Sequence, residues 1–179
     1  MKVKDVYAMI AIIFATNFKG VIDENNFKKM AKKWIIQNET KANKTGSELW
    51  SKGLKEDYNE ICKDYDSLKE FFYMDYYRLI NKTDIALLFE KARYNKPFKD
   101  LDESHASNML AFLAAILKSD DDEKTHNFLG LYLTKYFMES FNALSKILQT
   151  KSNTNYYKSL GYFLEDFLHM LKTTLGLKI

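Results

Sequence analysis

Only one proline and six glycines interrupt the 179 residues of this chain, and this scarcity restricts its fold more than any other feature. A β-protein needs such residues at the tight turns between its strands, and there are too few of them here. Apolar residues instead recur at intervals of three and four, as in Leu160, Leu164, Phe167 and Leu171. This spacing brings side chains to one face of an α-helix, so the sequence predicts an all-α fold.

We predict a single-domain helical bundle of about eight helices that spans residues 1–179. The expected helices cover residues 3–18 and 23–37, a stretch that begins at Ser47, and residues 67–80, 84–94, 102–118, 120–148 and 154–175. The loop 95–101, which holds the only proline, divides the chain into unequal parts without marking a domain boundary. A chain of this length buries roughly 70% of its unfolded surface, so it can build a core without disulfides or metal.

Charge and cysteine content indicate a cytoplasmic protein. The net charge of +3 is small and the lysines are spread among acids, which favours solubility over nucleic-acid binding. The apolar run 8–15 is far shorter than the roughly 20 residues that span a bilayer, so no stable membrane insertion is expected. No signal-peptide cleavage site follows that run. The single Cys62 excludes an internal disulfide and fits a reducing compartment.

Motifs for catalysis, metal binding and cofactor binding are lacking in the sequence. The three histidines, His105, His126 and His169, fall on three different predicted helices, whereas a metal site needs several ligands close together. The acidic run 120–123 lacks the alternating ligands of a calcium loop and is explained by acids at the start of a helix. We therefore expect a binding protein without metal or resident cofactor, and not an enzyme.

The segment 71–77 carries more aromatic residues than one buried helix face can hold. In a helix, Tyr73 and Tyr77 would lie on a different side from Phe72 and Tyr76. Spare aromatic side chains of this kind are what a groove for an apolar peptide uses. The segment is the first candidate for a recognition surface.

Three parts of the chain are similar to segments of one known family of helical proteins. Asp75–Ile80 is similar to the acid-Tyr-x-x-Leu-Phe segment of the family's middle helix. Asp102–His105, which leads into Met109–Leu113, resembles the Asp-His motif and the helix after it. Phe128–Leu148, followed by Asn155–Leu160 and the run Phe163–Leu171, resembles the family's long helix, short linker and final helix. Together these segments, within residues 67–175, resemble the TorD/DmsD/NarJ family of redox-enzyme maturation chaperones.

The sequence departs from the family at three places. Ser104 stands where the family has the aspartate before the histidine, so Asp102 or Glu103 is expected to supply the acid. Asn81–Thr83 replaces a loop rich in glycine and proline, and Tyr136 takes the place of a tryptophan in the long helix. These departures concern ligand preference more than fold.

The resemblance implies a TorD-like bundle that acts as a cytoplasmic chaperone. Such proteins bind the twin-arginine signal peptide and the apo form of a molybdopterin oxidoreductase, such as a formate dehydrogenase or an S- or N-oxide reductase. They hold that partner back from export until its cofactor is inserted. Family members occur as monomers or as domain-swapped homodimers, and nucleotide binding has been proposed for some of them.

A twin-arginine signal has a basic end and an apolar stretch, so its receptor needs carboxylates beside an apolar groove. Three carboxylates are expected at the rim, those of Asp75, Asp102 and Glu103. Four side chains are expected to contact the peptide: Tyr76, Tyr77, Leu79 and His105.

Two other functions stay open at the level of sequence. A helical DNA-binding regulator would use the lysine cluster 28–33, which lies opposite the apolar face of the second predicted helix. A small helical enzyme would act through His105 and a neighbouring carboxylate, which requires the two groups to meet in a pocket.

Overall fold

All regular elements in the part of the chain that the computed structural model describes, residues 2–119 and 122–175, are helical. The α-helices are α1 (Val3–Phe18), α2 (Glu24–Lys28), α3 (Lys41–Gly53), α4 (Tyr58–Leu68), α5 (Lys82–Lys91), α6 (Ala106–Ser119), α7 (Glu123–Tyr132), α8 (Met138–Lys151) and α9 (Asn155–Thr174). Two 3₁₀ turns, Lys69–Phe72 and Met74–Tyr77, follow α4, and a π turn, Leu133–Phe137, joins α7 to α8. The predicted all-α fold is confirmed.

The last helix, α9, organises the packing of the bundle. It lies against α3 and α8 over most of its length and also contacts α1 and α4, while α1 packs against α6. The Phe163 ring of α9 stacks on Trp34 with ring centres 4.3 Å apart, and Trp50 meets both rings edge-on. One apolar core therefore runs through the bundle, from Tyr7 to Leu171.

Acidic side chains from distant parts of the chain hold the start of α9. Buried Asp64 accepts hydrogen bonds from the backbone N–H of Asn153 and of Thr154, at 2.9 and 2.8 Å. Glu56 accepts from the backbone N–H groups of the first two residues of α9, and the Thr154 hydroxyl caps the third. The N–H groups that a helix start leaves without partners are thus satisfied, and the negative charges face the positive end of the helix dipole.

A second buried carboxylate, Asp166, fixes the segment before α3. It accepts hydrogen bonds from the Asn38 and Asn43 amides at 2.8 and 2.9 Å and from the Thr40 hydroxyl at 2.6 Å. Thr40 is also the N-cap of α3, since its hydroxyl accepts from the Asn43 N–H. This cap explains why the third helix begins at Lys41, whereas the sequence predicted Ser47.

The predicted second helix, 23–37, is wrong beyond Lys28. The chain leaves the helical path because Trp34 has to reach Phe163 in the core. The indole N–H of Trp50 donates to the Ala31 carbonyl at 3.0 Å, which fixes the irregular segment on α3. A tertiary contact overrides the local helical pattern here.

The predicted long helix 120–148 corresponds to one continuous helix from Glu123 to Lys151, which contains a π turn. The predicted start at Asp120 lies outside the described residues. The four residues Leu129, Leu133, Phe137 and Phe141 are all buried. In a regular α-helix, side chains four positions apart differ in direction by about 40°, so a series with this spacing would gradually turn away from the core. A π turn holds more residues than an α-helical turn, which reverses part of this rotation and keeps all four side chains directed at the core.

The loop 95–101 is fixed to α6 by one side chain. The Asn108 amide accepts from the Phe98 N–H and donates to the Phe98 and Leu101 carbonyls, at 3.0 and 3.1 Å for the latter two. Among the described residues, no helix has both the length and the apolar character that crossing a membrane requires.

Candidate functional site

The recognition segment, residues 73–80, is not the helix that its pattern predicts. Phe72 and Met74 are both fully buried, and two residues that are two positions apart can share one buried side only if the chain is extended between them. Tyr73 accordingly has extended backbone and forms an isolated antiparallel bridge with His105. The Met74 N–H donates to the Ser104 carbonyl at 2.9 Å, so the two segments that resemble the chaperone family lie side by side.

His105 is buried, with 2% of its surface exposed, and this corrects its expected role. Its Nδ1 accepts the Ser107 N–H at 3.2 Å, and its carbonyl accepts the Met109 N–H, which makes it the N-terminal cap of α6. The predicted helix start at Asp102 is therefore wrong by four residues. The Tyr73 ring meets the imidazole edge-on at 4.8 Å. In this conformation the His105 ring lies below the surface against Tyr73, and a docked peptide cannot contact it.

Burial lowers the pKa of His105 to about 4, although the nearby Asp102 acts in the opposite direction. The unfolded chain, with a histidine pKa near 6.5, then binds the proton more readily than the folded protein between about pH 6.5 and pH 4. Stability therefore falls as the pH falls through this window. We expect a loss of about 2 kcal/mol between pH 7 and pH 5 from this group alone, measurable by urea unfolding.

Replacement of His105 with Asn provides the matched comparison for this pH dependence. An asparagine oxygen can accept the same cap hydrogen bond but does not titrate. The difference in unfolding free energy between the wild type and His105→Asn should therefore change with pH between 7 and 5. A constant difference across this range would contradict the assignment.

The three predicted carboxylates lie on neighbouring segments, and each already has a partner. Asp75 Oδ1 accepts the Ser104 hydroxyl at 2.8 Å, so Ser104 binds an acid at the position where the family carries one. Asp102 forms a hydrogen-bonded ion pair with Lys82 at the start of α5. Glu103 pairs with Lys96 at 3.0 Å, and this hydrogen bond lowers the pKa of Glu103.

A cavity of about 680 Å³ opens beside these groups. Its walls come from the recognition segment, the start of α5 and the π turn. The lining residues are Asp75, Arg78, Leu79, Ile80, Asn81, Lys82, Asp84, Lys135 and Tyr136. Two of the seven predicted site residues, Asp75 and Leu79, line the cavity. Asp102 does not line it but forms an ion pair with Lys82, which does.

Two unusual backbone conformations meet at this cavity. Arg78 has a φ of 57°, in the left-handed region that residues other than glycine rarely adopt. Lys135 and Tyr136 belong to the π turn, a rare element that is often found at functional sites. Strained conformations persist where the surrounding structure requires them and concentrate at binding sites. Both features mark this cavity as the candidate site.

Two exposed apolar side chains belong to the segment that forms one wall of the cavity. Tyr76 and Leu79, which were predicted to contact a peptide, are 52% and 49% exposed. Tyr77 is only partly exposed, and its hydroxyl donates to the Phe71 carbonyl at 2.9 Å. Burial also raises the pKa of Tyr77 well above its usual value. Of the two tyrosines, Tyr76 is the one that offers its ring to a ligand.

Two exposed leucines lie close to cavity-lining residues along the chain. Leu87 follows Asp84 of α5 by three positions, and Leu131 of α7 precedes Lys135 by four. In a helix, residues three or four positions apart are neighbours on the surface, so both leucines lie within about one turn of the cavity.

Sequence reasoning missed the basic side of the cavity, formed by Arg78, Lys82 and Lys135. Arg78 is one of only two arginines in the chain, the other being Arg93, which also has a positive φ. Two arginines beside many lysines were a signal that could have drawn attention to this segment. No sequence pattern reports that α5 and the π turn meet.

The lysine cluster 28–33 lacks the helix that the DNA-binding alternative required. Lys28 ends α2 and pairs with Glu24, and the other three lysines follow on irregular backbone. A recognition helix for the major groove needs base-reading side chains on one rigid face. The structure provides no such helix at these lysines.

A second hollow, of about 320 Å³, lies between α8 and α9 and contains none of the predicted site residues. The chain matches no protein-family model, no curated protein and no solved structure. The function is therefore argued from the geometry around the larger cavity.

Proposed function

We propose that this protein is a cytoplasmic chaperone that binds the twin-arginine signal peptide and the apo form of an exported molybdopterin oxidoreductase. The observation that carries the proposal is the convergence of Asp75, Asp102 and Glu103 beside a cavity that the exposed Tyr76 and Leu79 border. This combination matches a ligand with a basic end and an apolar stretch.

In this proposal the carboxylates receive the two guanidinium groups of the signal. A guanidinium offers parallel N–H donors that match the two oxygens of a carboxylate, so an arginine binds with a defined orientation. The apolar stretch then follows Leu79 towards Leu87 and Leu131. Apolar surface rimmed by polar residues marks protein interaction sites, and the exposed Tyr76 and Leu79 provide apolar surface next to charged residues.

The cavity also favours a peptide over a nucleic acid. Its lining combines two carboxylates, Asp75 and Asp84, with three cations, Arg78, Lys82 and Lys135. A phosphate backbone would be attracted by the cations but repelled by both carboxylates. A peptide can present both charges, so it complements this surface better than duplex DNA does.

The proposal predicts that Leu79→Ser weakens peptide binding about tenfold, because truncating an apolar contact residue at an interface removes roughly 1–2 kcal/mol. The measurement is calorimetric titration with a peptide that carries Arg-Arg followed by an apolar stretch. A Lys-Lys version of the same peptide should bind more weakly to the wild type, since lysine lacks the planar fork.

Ile35→Ser is the matched control for this experiment. Ile35 is 43% exposed, against 49% for Leu79, and neither residue lies in a helix. Ile35 is not part of the cavity lining. Equal affinities of the Arg-Arg and Lys-Lys peptides, or equal effects of the two substitutions, would contradict the proposal.

A further inference from the structure

The ammonium group of Lys82 binds one of the three carboxylates of the proposed site. It hydrogen-bonds Asp102 directly, and it lines the cavity together with Asp75. The hydrogen bond that Lys82 donates to Asp102 raises the pKa of Lys82, and the charges of Asp75 and Glu103 act in the same direction. A positive charge from the protein itself therefore occupies the place that suits a basic side chain of a ligand.

The ion pair that holds Lys82 is of a kind that a ligand can displace. The side chains of Lys82 and Asp102 are both about half exposed to solvent. Exposed pairs of this type contribute little to stability, because water screens them and two long side chains lose freedom. Lys82 is the first residue of α5, and this helix start has its own cap, because the Asn81 side chain accepts the Thr83 N–H.

We propose that Lys82 is an internal competitor for the ligand, with its ammonium holding the carboxylate site in the free protein and leaving it when a basic side chain binds. This inference rests on the proposed function, because it requires a cationic ligand at the cavity. An arginine can replace the lysine favourably, since a bidentate guanidinium–carboxylate pair replaces a single-point contact. An incoming lysine exchanges one ammonium for another and gains nothing from the exchange.

Competition of this kind has a definite thermodynamic signature. Every basic ligand must displace the same Lys82–Asp102 contact, whatever its own chemistry. Removing the lysine should therefore tighten the Arg-Arg and the Lys-Lys peptide by the same factor, and the ratio of their affinities should not change. Removing Lys82 also removes its electrostatic repulsion of the basic ligand, which raises the affinity of both peptides further by the same factor.

The test is calorimetric titration of Lys82→Met with both peptides at low ionic strength. We expect both affinities to rise about tenfold, as removing one positive charge at contact distance in a partly solvated site implies. Lys91→Met is the matched control, because it removes the same charge from an exposed position in α5 about 14 Å along the helix. It should change both affinities less than twofold.

The outcomes separate this inference from the function on which it rests. If the wild type prefers the Arg-Arg peptide but Lys82→Met binds no more tightly than Lys91→Met, the competition is wrong and the chaperone proposal stands. If Lys82→Met weakens binding, Lys82 is a ligand contact, which also overturns the competition. If neither the wild type nor Lys82→Met binds either peptide, both proposals fail. Urea unfolding of each variant verifies that its fold is intact.

Discussion

Gly53→Ala is expected to destabilise the protein by about 4 kcal/mol, at the upper end of what overpacking costs. Gly53 ends α3 where it crosses the start of α9. A Cβ atom there would lie 2.5 Å from the backbone nitrogen of Tyr156 and 2.6 Å from its Cα. These atoms belong to a helix start that Glu56 and Asp64 hold in place, so the backbone cannot move away cheaply. Urea unfolding at pH 7 measures the loss.

Gly130→Ala is the control for this substitution. Gly130 lies within α7, and a Cβ atom at that position would meet nothing within 4 Å. Alanine favours the helix over glycine, so we expect a gain of roughly 0.5–1 kcal/mol. If both variants lost the same stability, the close approach of α3 and α9 would not be the cause.

Asp64→Ala is expected to cost about 3–4 kcal/mol, because it leaves buried donors without acceptors. The carboxylate accepts the N–H groups of Asn153 and Thr154 and the Thr154 hydroxyl, the last at 2.6 Å. Its side chain links α4 to the turn between α8 and α9, so its loss loosens the entry to α9. Thermal unfolding should show a fall in Tm of roughly 10 °C for a chain of this size.

Asp66→Ala provides the comparison two residues away. Asp66 is exposed, and its pair with Lys69 is 3.4 Å long. Surface pairs of this kind contribute within about 0.5 kcal/mol, so this variant should unfold close to the wild type. An Asp64 variant that proved equally stable would show that the turn before α9 does not need its acid.

Helices whose register is set by a wide apolar stripe could be predicted from the sequence. The bounds of α1 match the prediction, and α9 begins one residue after its predicted start at Thr154. These helices bury one whole face, so the periodicity of their own residues decides the structure. The predicted helix 67–80 failed because Phe72 and Met74 are buried by contacts with other parts of the chain, which local periodicity does not report.

The candidate site was only partly accessible to the same reasoning. The pattern around Asp75 and Asp102 drew attention to two segments that do lie together. It could not show that His105 caps α6 from a buried position, because a histidine after two acids is also typical of a surface. It could not show that Lys82 would occupy the carboxylates, since that contact joins residues 20 positions apart.

The held start of α9 also bears on how the chain folds during synthesis. Glu56 and Asp64 reach partners about 90 to 100 positions later, and α3 packs mainly on α9. Contacts this distant in sequence slow folding, because a long loop must close before they form. Helix α3 therefore leaves the ribosome with its apolar face uncovered, and it depends on the arrival of α9 to become protected from aggregation.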